Sequence, residues 1–322
     1  MRSAINWNNL DDDMYKMFWD QNVRQFWVDE EIPVSEDKQV WNSGEITDLQ
    51  KDTYEKVLAS LTLLDTEQGN LGMPSIILKS SNLHQKAIFS FMGMMEQMHA
   101  KSYSTIFSTL SSDTRIDELF KWVEDNEIVQ AKIKRVIEFY ERDTSDNSGL
   151  YRALCASVLL ETFLFYSGFY YPLYFSGQGK LIRSAEIISL IIRDESIHGL
   201  FTGLVAQQEF EKIEPSLKEY IKQEVIDLML ELHALERRYT HMLYNELGLA
   251  DDVMTYVEYN ADKALMNLGY DPHFNVDESM INPVILNGIN TSTKNHDFFS
   301  TKGNGYIKST NVAAIDDSVF DI

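Results

Sequence analysis

Two Glu-x-x-His pairs, Glu96–His99 and Glu195–His198, stand in stretches where a charge is least welcome. The first closes the run Phe89-Ser90-Phe91-Met92-Gly93-Met94-Met95, and the second follows Ile187-Ile188-Ser189-Leu190-Ile191-Ile192-Arg193-Asp194. On an α-helix, residues three apart are separated by about 300° around the axis, so each pair projects from one face. A carboxylate and an imidazole on one inward face can share a metal ion. Two such pairs on two helices, completed by one carboxylate from each of two more, make a dinuclear carboxylate site inside a four-helix bundle. One pair among seven histidines would say little; two, both in apolar settings, direct attention to the missing carboxylates.

Glu161 is the only formally charged residue between Ala153 and Gly179, inside Leu154-Cys155-Ala156-Ser157-Val158-Leu159-Leu160-Glu161-Thr162-Phe163-Leu164-Phe165. A bare carboxylate there would cost several kcal/mol or take up a proton. A divalent metal is the strongest partner available, and a protonated or ion-paired core Glu is the plainer reading. Asp65 ends the run Val57-Leu58-Ala59-Ser60-Leu61-Thr62-Leu63-Leu64. The following Thr66-Glu67-Gln68-Gly69 reads as a polar helix end, so Asp65 alone fits a surface residue as well as a ligand. Tyr103 follows His99 by four and Glu96 by seven, which on a helix places it within about 20–40° of both. A phenol one turn from a dinuclear metal site can give up an electron and a proton and become a tyrosyl radical; taken alone, a core tyrosine, one among sixteen, is the favoured reading. Phe165 and Phe169, four and eight residues after Glu161, and Ile191, four before Glu195, would wall off such a radical or simply fill the core.

The elements that must carry these residues are helices. Six prolines, fifteen glycines and long apolar patterns of 3.6-residue period point to an all-α fold. Helices are predicted over about 48–69, 83–110, 115–140, 149–175, 181–210, 215–246 and 251–268, after fifty residues of irregular or short helical chain. Asn82 is the expected N-cap of the second and Gly269 the C-terminal glycine of the last. The domain expectation is one helical unit with an N-terminal arm over 1–296 and a tail over 297–322. That tail is rich in Ser, Thr, Gly and Asn and closes on Val319-Phe320-Asp321-Ile322, a composition that suits either a frayed terminus or a docking peptide.

Composition removes several classes. A net charge of −22 disfavours nucleic acid and anionic membranes as partners. The stretch 153–175 is long enough to span a bilayer, but Glu161, Pro172 and its tyrosines favour a buried bundle helix. The start Met1-Arg2-Ser3-Ala4-Ile5-Asn6-Trp7 lacks a signal-peptide pattern, and the expected compartment is the cytoplasm. The lone cysteine, Cys155, rules out a dithiol redox centre within one chain.

Taken in order, Asp65, Glu96, His99, Tyr103, Glu161, Asp194, Glu195 and His198 resemble the pattern of the small, radical-generating subunit of class I ribonucleotide reductase, most closely class Ib. Phe26-Trp27-Val28-Asp29-Glu30 is similar to that family's tryptophan arm and Tyr306 to its tail tyrosine. The resemblance implies a homodimeric, ferritin-like helical bundle with a dimetal carboxylate site. It implies six ligands, Asp65, Glu96, His99, Glu161, Glu195 and His198, for two metal ions per chain, manganese or iron, and a tyrosyl radical at Tyr103. It further implies radical transfer through Trp27, Asp194 and Tyr306 to a separate large subunit that reduces ribonucleotides and docks the C-terminal tail, and activation by a small flavodoxin-like protein. The four carboxylates and two imidazoles form a hard donor set that suits either metal. The main alternative is a dimetal oxidase or oxygenase, or a ferritin-type store, which shares the ligands but needs neither Tyr103 nor a tail.

Overall fold

Thr47 starts the first long helix with a reciprocal cap: its hydroxyl accepts from Gln50 N, and the Gln50 side chain accepts from Thr47 N at 2.9 Å. The computed structural model describes residues 3–142 and 148–292; Tyr306 and the predicted tail lie outside the described residues. Among these residues there are thirteen α-helices and no strands. Those that matter for the site are α3 (Asp48–Glu67), α5 (Leu83–Leu110), α8 (Gly149–Leu159), α9 (Tyr166–Gly177) and α10 (Ile182–Glu211). Helix α3 packs on α5 and α9, and α10 packs on α5, α8 and α9, so four rods, with α8 and α9 together making one, close into a bundle. Around them lie α1 (Asp13–Arg24), α2 (Lys38–Asn42), α4 (Met73–Lys79), α6 (Asp113–Asp125), α7 (Glu127–Tyr140), α11 (Pro215–Tyr244), α12 (Ala250–Asn267) and α13 (Pro283–Ser292).

The caps explain where the rods begin. Asn82 accepts from His84 N and Gln85 N at the head of α5, as its position before the apolar run suggested. Helix α10 is capped from elsewhere: Leu181 holds a left-handed conformation, and Asp37 accepts from Arg183 N, Ser184 N and Ser184 Oγ. Gly269, at φ +77°, terminates the segment after α12 where an L side chain would be strained. The stretch Gly149–Gly177, apolar enough to cross a membrane, is wholly buried over its most apolar window and is the central rod of the bundle.

Three expectations need correction. The polar end expected at Thr66–Gly69 is not an end: the chain makes one π-helical turn over Gln68–Gly72 and continues as α4, with Gln68, Met73 and Ile76 buried. The helix expected over 115–140 is two, because Asn126 is extended and its side chain accepts from Ile128 N and Val129 N, starting α7 afresh. The rod expected over 149–175 is interrupted by a second π turn, Leu160–Leu164, which carries Glu161. A π turn adds one residue and advances the helix face by about 100°, a distortion common at functional sites.

Candidate metal centre

Asp65 comes from α3, Glu96 and His99 from α5, Glu161 from the π turn between α8 and α9, and Glu195 and His198 from α10. All six are buried, with relative exposure of 1% or less. They form two four-donor groups. In one, the ligand atoms of Asp65, Glu96, His99 and Glu195 lie within 4.8 Å of one another; in the other, those of Glu96, Glu161, Glu195 and His198 do. Glu96 and Glu195 belong to both.

The oxygens divide between the halves. His99 Nδ1 lies 3.0 Å from Glu195 Oε1, 3.3 Å from Asp65 Oδ1 and 3.7 Å from Glu96 Oε2. His198 Nδ1 lies 2.9 Å from Glu96 Oε1 and 3.7 Å from Glu195 Oε2. Each shared carboxylate therefore offers one oxygen to each histidine, the arrangement of a bridging ligand.

Both oxygens of Asp65, Glu96 and Glu195, Oε2 of Glu161, and Nδ1 of both histidines make no hydrogen bond. Buried polar atoms are almost always hydrogen-bonded, so such a cluster of orphans needs another partner. Two divalent cations would supply it: four ionised carboxylates carry four negative charges, and the pair of ions would balance them. Asp65 and His99 would hold one ion, Glu161 and His198 the other, and Glu96 and Glu195 would serve both. Without ions the same crowding draws in protons. Burial, then the charges of Glu96 and Glu195, push Glu161 well above the usual carboxylate range. Burial also raises Asp65 against the pull of His99. Burial works against charging the imidazoles, yet the surrounding carboxylates hold His99 and His198 well above the ordinary histidine value. Glu96 is opposed by burial too, but contacts with His198 and His99 bring it down to about 2.

His99 connects the cluster to the N-terminal arm. Its Nε2 lies 3.1 Å from Asp194 Oδ2, and the same oxygen accepts from Trp27 Nε1 at 2.7 Å. The Trp27 ring is stacked on His99 with centroids 6.0 Å apart, and Trp27 and Asp194 are both buried. Gln25 Nε2 donates to Asp194 Oδ1 at 2.9 Å, so both aspartate oxygens are engaged. On the other side the Tyr103 hydroxyl makes no hydrogen bond; burial, then the charges of Asp65 and Glu195, push its pKa well up. Phe165, Phe169 and Ile191 are fully buried, with the two phenylalanine rings 5.7 Å apart.

Asp65, left open by its local sequence, thus joins the donors. Three residues that sequence reasoning passed over also belong to the surroundings: Gln25, Gln68 and Tyr140. Gln68 sits three after Asp65, at the spacing used for the Glu-x-x-His pairs, and that was its one available signal.

The geometry has counterparts. The family model described as "Ribonucleotide reductase, small chain" matches residues 4–283. The chain is 50% identical over 319 residues to the ribonucleoside-diphosphate reductase subunit beta of Bacillus subtilis, covering 98% of this chain and 96% of that protein. It is 49% identical over 319 residues to the subunit of the same description from Bacillus phage SPbeta, covering 98% and 95%. The crystal structure of dimanganese(II)-NrdF from Streptococcus sanguinis superposes with a TM-score of 0.86 at 42% identity, covering 90% of this chain and 100% of that one.

Proposed function

The chain belongs to the ribonucleotide reductase small-chain family, and on that premise we propose how its metal centre works. Its activity is that of the β subunit of a class Ib ribonucleoside-diphosphate reductase, acting as a homodimer with a separate large subunit. Two metal ions per chain, manganese or iron, are its cofactor. When bound and first oxidised by dioxygen or an oxidant derived from it, they would supply a one-electron oxidant strong enough to take an electron from a phenol.

The chain's own residues then have distinct tasks. Asp65, Glu96, His99, Glu161, Glu195 and His198 hold the ions. Tyr103 yields the electron and keeps the radical, its proton passing to the carboxylates whose charges act on its hydroxyl, Asp65 and Glu195. Phe165, Phe169 and Ile191 keep water from the oxidised ring. Asp194 orients His99 through Nε2 and, through the oxygen shared with Trp27, links the centre to the arm. Onward transfer uses Tyr306, and the tail 297–322 docks on the large subunit, where Val319, Phe320 and Ile322 are suitable anchors. A small flavodoxin-like protein is the proposed activator when manganese is used, and the cytoplasm is the proposed compartment.

The observation that carries this reading is the pair of four-donor groups sharing Glu96 and Glu195 and joined through His99 and Asp194 to Trp27. It is tested by metal analysis and electron paramagnetic resonance of the activated protein. Two metals per chain and a tyrosyl signal are expected, and Tyr103→Phe should keep the metals and lose both the signal and nucleotide reduction. A stoichiometric tyrosyl signal in that variant would remove Tyr103 from the role.

A further inference from the structure

One carboxylate of the centre is held differently from the other three. Asp65, Glu96 and Glu195 have both oxygens free of hydrogen-bond donors, whereas Glu161 has only Oε2 free. Glu161 Oε1 accepts from Gln68 Nε2 at 2.5 Å. The same Nε2 donates to Ser157 Oγ at 2.8 Å, and Gln68 Oε1 accepts from the Tyr140 hydroxyl at 2.5 Å. All four residues are buried. With Glu161 ionised, as it would be when holding a cation, the amide must face it through Nε2: turned round, the Gln68 carbonyl would meet a carboxylate oxygen with no proton between them, in a dry site.

The surrounding chain is shaped to this contact. A Cβ at Gly72 would stand 2.2 Å from Gln68 Oε1 and 2.8 Å from the Tyr140 ring, so glycine is what lets the two meet. Gln68 opens one π turn and Glu161 sits in the other. The hydrogen bond therefore joins the two places where the bundle departs from α-helical geometry.

We propose that Gln68, locked by Tyr140, is a positioning residue that occupies Glu161 Oε1 and leaves this carboxylate a single metal-facing oxygen, thereby setting the affinity and coordination number of the Glu161–His198 half of the centre. The proposal rests on the dimetal reading above. With the amide removed, both oxygens of Glu161 become available to the same ion and the carboxylate is free to rotate. The Asp65–His99 half keeps every one of its donors, so the two halves should respond unequally.

The test is a titration of the purified full-length protein with Co(II), whose visible absorption weakens as coordination number rises, and with Mn(II), followed by the resonance of the unbound ion. The parent should take up two equivalents. Gln68→Leu should bind the first as the parent does and the second about tenfold more weakly, the lower end of what loss of such a supporting contact costs. Its second Co(II) should absorb less. Tyr140→Phe, which keeps the ring and its packing, should move the second equivalent in the same direction by a smaller amount, and it decides the matter if Gln68→Leu does not fold. Ser157→Ala, which leaves the bond to Glu161, should behave as the parent. Parent-like affinity and absorption at the second equivalent in Gln68→Leu would overturn the proposal, as would equal weakening of both equivalents with unchanged absorption. A Ser157→Ala protein that behaved like Gln68→Leu would also overturn it. Fewer than two equivalents in the parent would instead overturn the dimetal reading.

Discussion

Glu161 serves one half of the centre while Glu96 and Glu195 serve both, and this asymmetry has a measurable size. Glu161→Ala leaves the group of Asp65, Glu96, His99 and Glu195 complete and reduces the other to three donors. Glu96→Ala reduces both groups to three. An ion that binds only the folded protein, present at 100 times its dissociation constant, adds about 2.7 kcal/mol per site. In a chain of this size each kcal/mol moves the melting midpoint by about 2 °C. Two filled sites should therefore raise it by roughly 10 °C, of which Glu161→Ala keeps about half and Glu96→Ala little at the same free metal. The assay is differential scanning calorimetry at buffered free Mn(II), each variant being compared with its own metal-free form. That comparison cancels the cavity left by the substitution and, for Glu161→Ala, the loss of a partner for Gln68. Complete loss of the shift in Glu161→Ala, or retention of half in Glu96→Ala, would refute the sharing of Glu96 between the two halves.

Three further outcomes are expected. Asp194→Ala removes a partner of His99 and of Trp27 but no metal donor, so it should keep two metals per chain while lowering nucleotide reduction with the large subunit at least tenfold; full activity would take Asp194 out of the transfer route. Metal uptake should release protons, because Asp65, Glu161, His99 and His198 all have raised pKa values in the metal-free fold. Groups whose folded pKa is raised stabilise the fold below their unfolded pKa, and that contribution is lost as pH rises through the folded value. The melting shift produced by Mn(II) should accordingly grow from pH 6 to pH 8, and a shift that shrank over this range would contradict the assignment. Removing the last twelve residues should weaken large-subunit affinity while sparing the Tyr103 radical, whereas Tyr306→Phe should bind normally and not turn over, both read by affinity measurement and nucleotide reduction.

The residues that were legible from sequence are those whose meaning is local. Glu96 with His99 and Glu195 with His198 declare themselves because three residues along a helix return to the same face whatever surrounds the helix. The isolation of Glu161 in an apolar run was legible for a similar reason: a carboxylate there needs a partner from somewhere. Asp65 was not settled by its neighbours, since Thr66 to Gly69 read as an end until the π turn over Gln68–Gly72 carried the chain on into α4. Which oxygen of Glu96 and Glu195 faces which histidine, the sharing of one Asp194 oxygen by His99 and Trp27, and the pinning of Glu161 by Gln68 all depend on side chains far apart in the sequence. Gln68 and Glu161 are separated by 93 positions, Trp27 and Asp194 by 167. Contacts over such distances exist only once four rods have packed, and the π turns that aim two of them arise where helical hydrogen bonding gives way to that packing, so helical periodicity alone does not announce them.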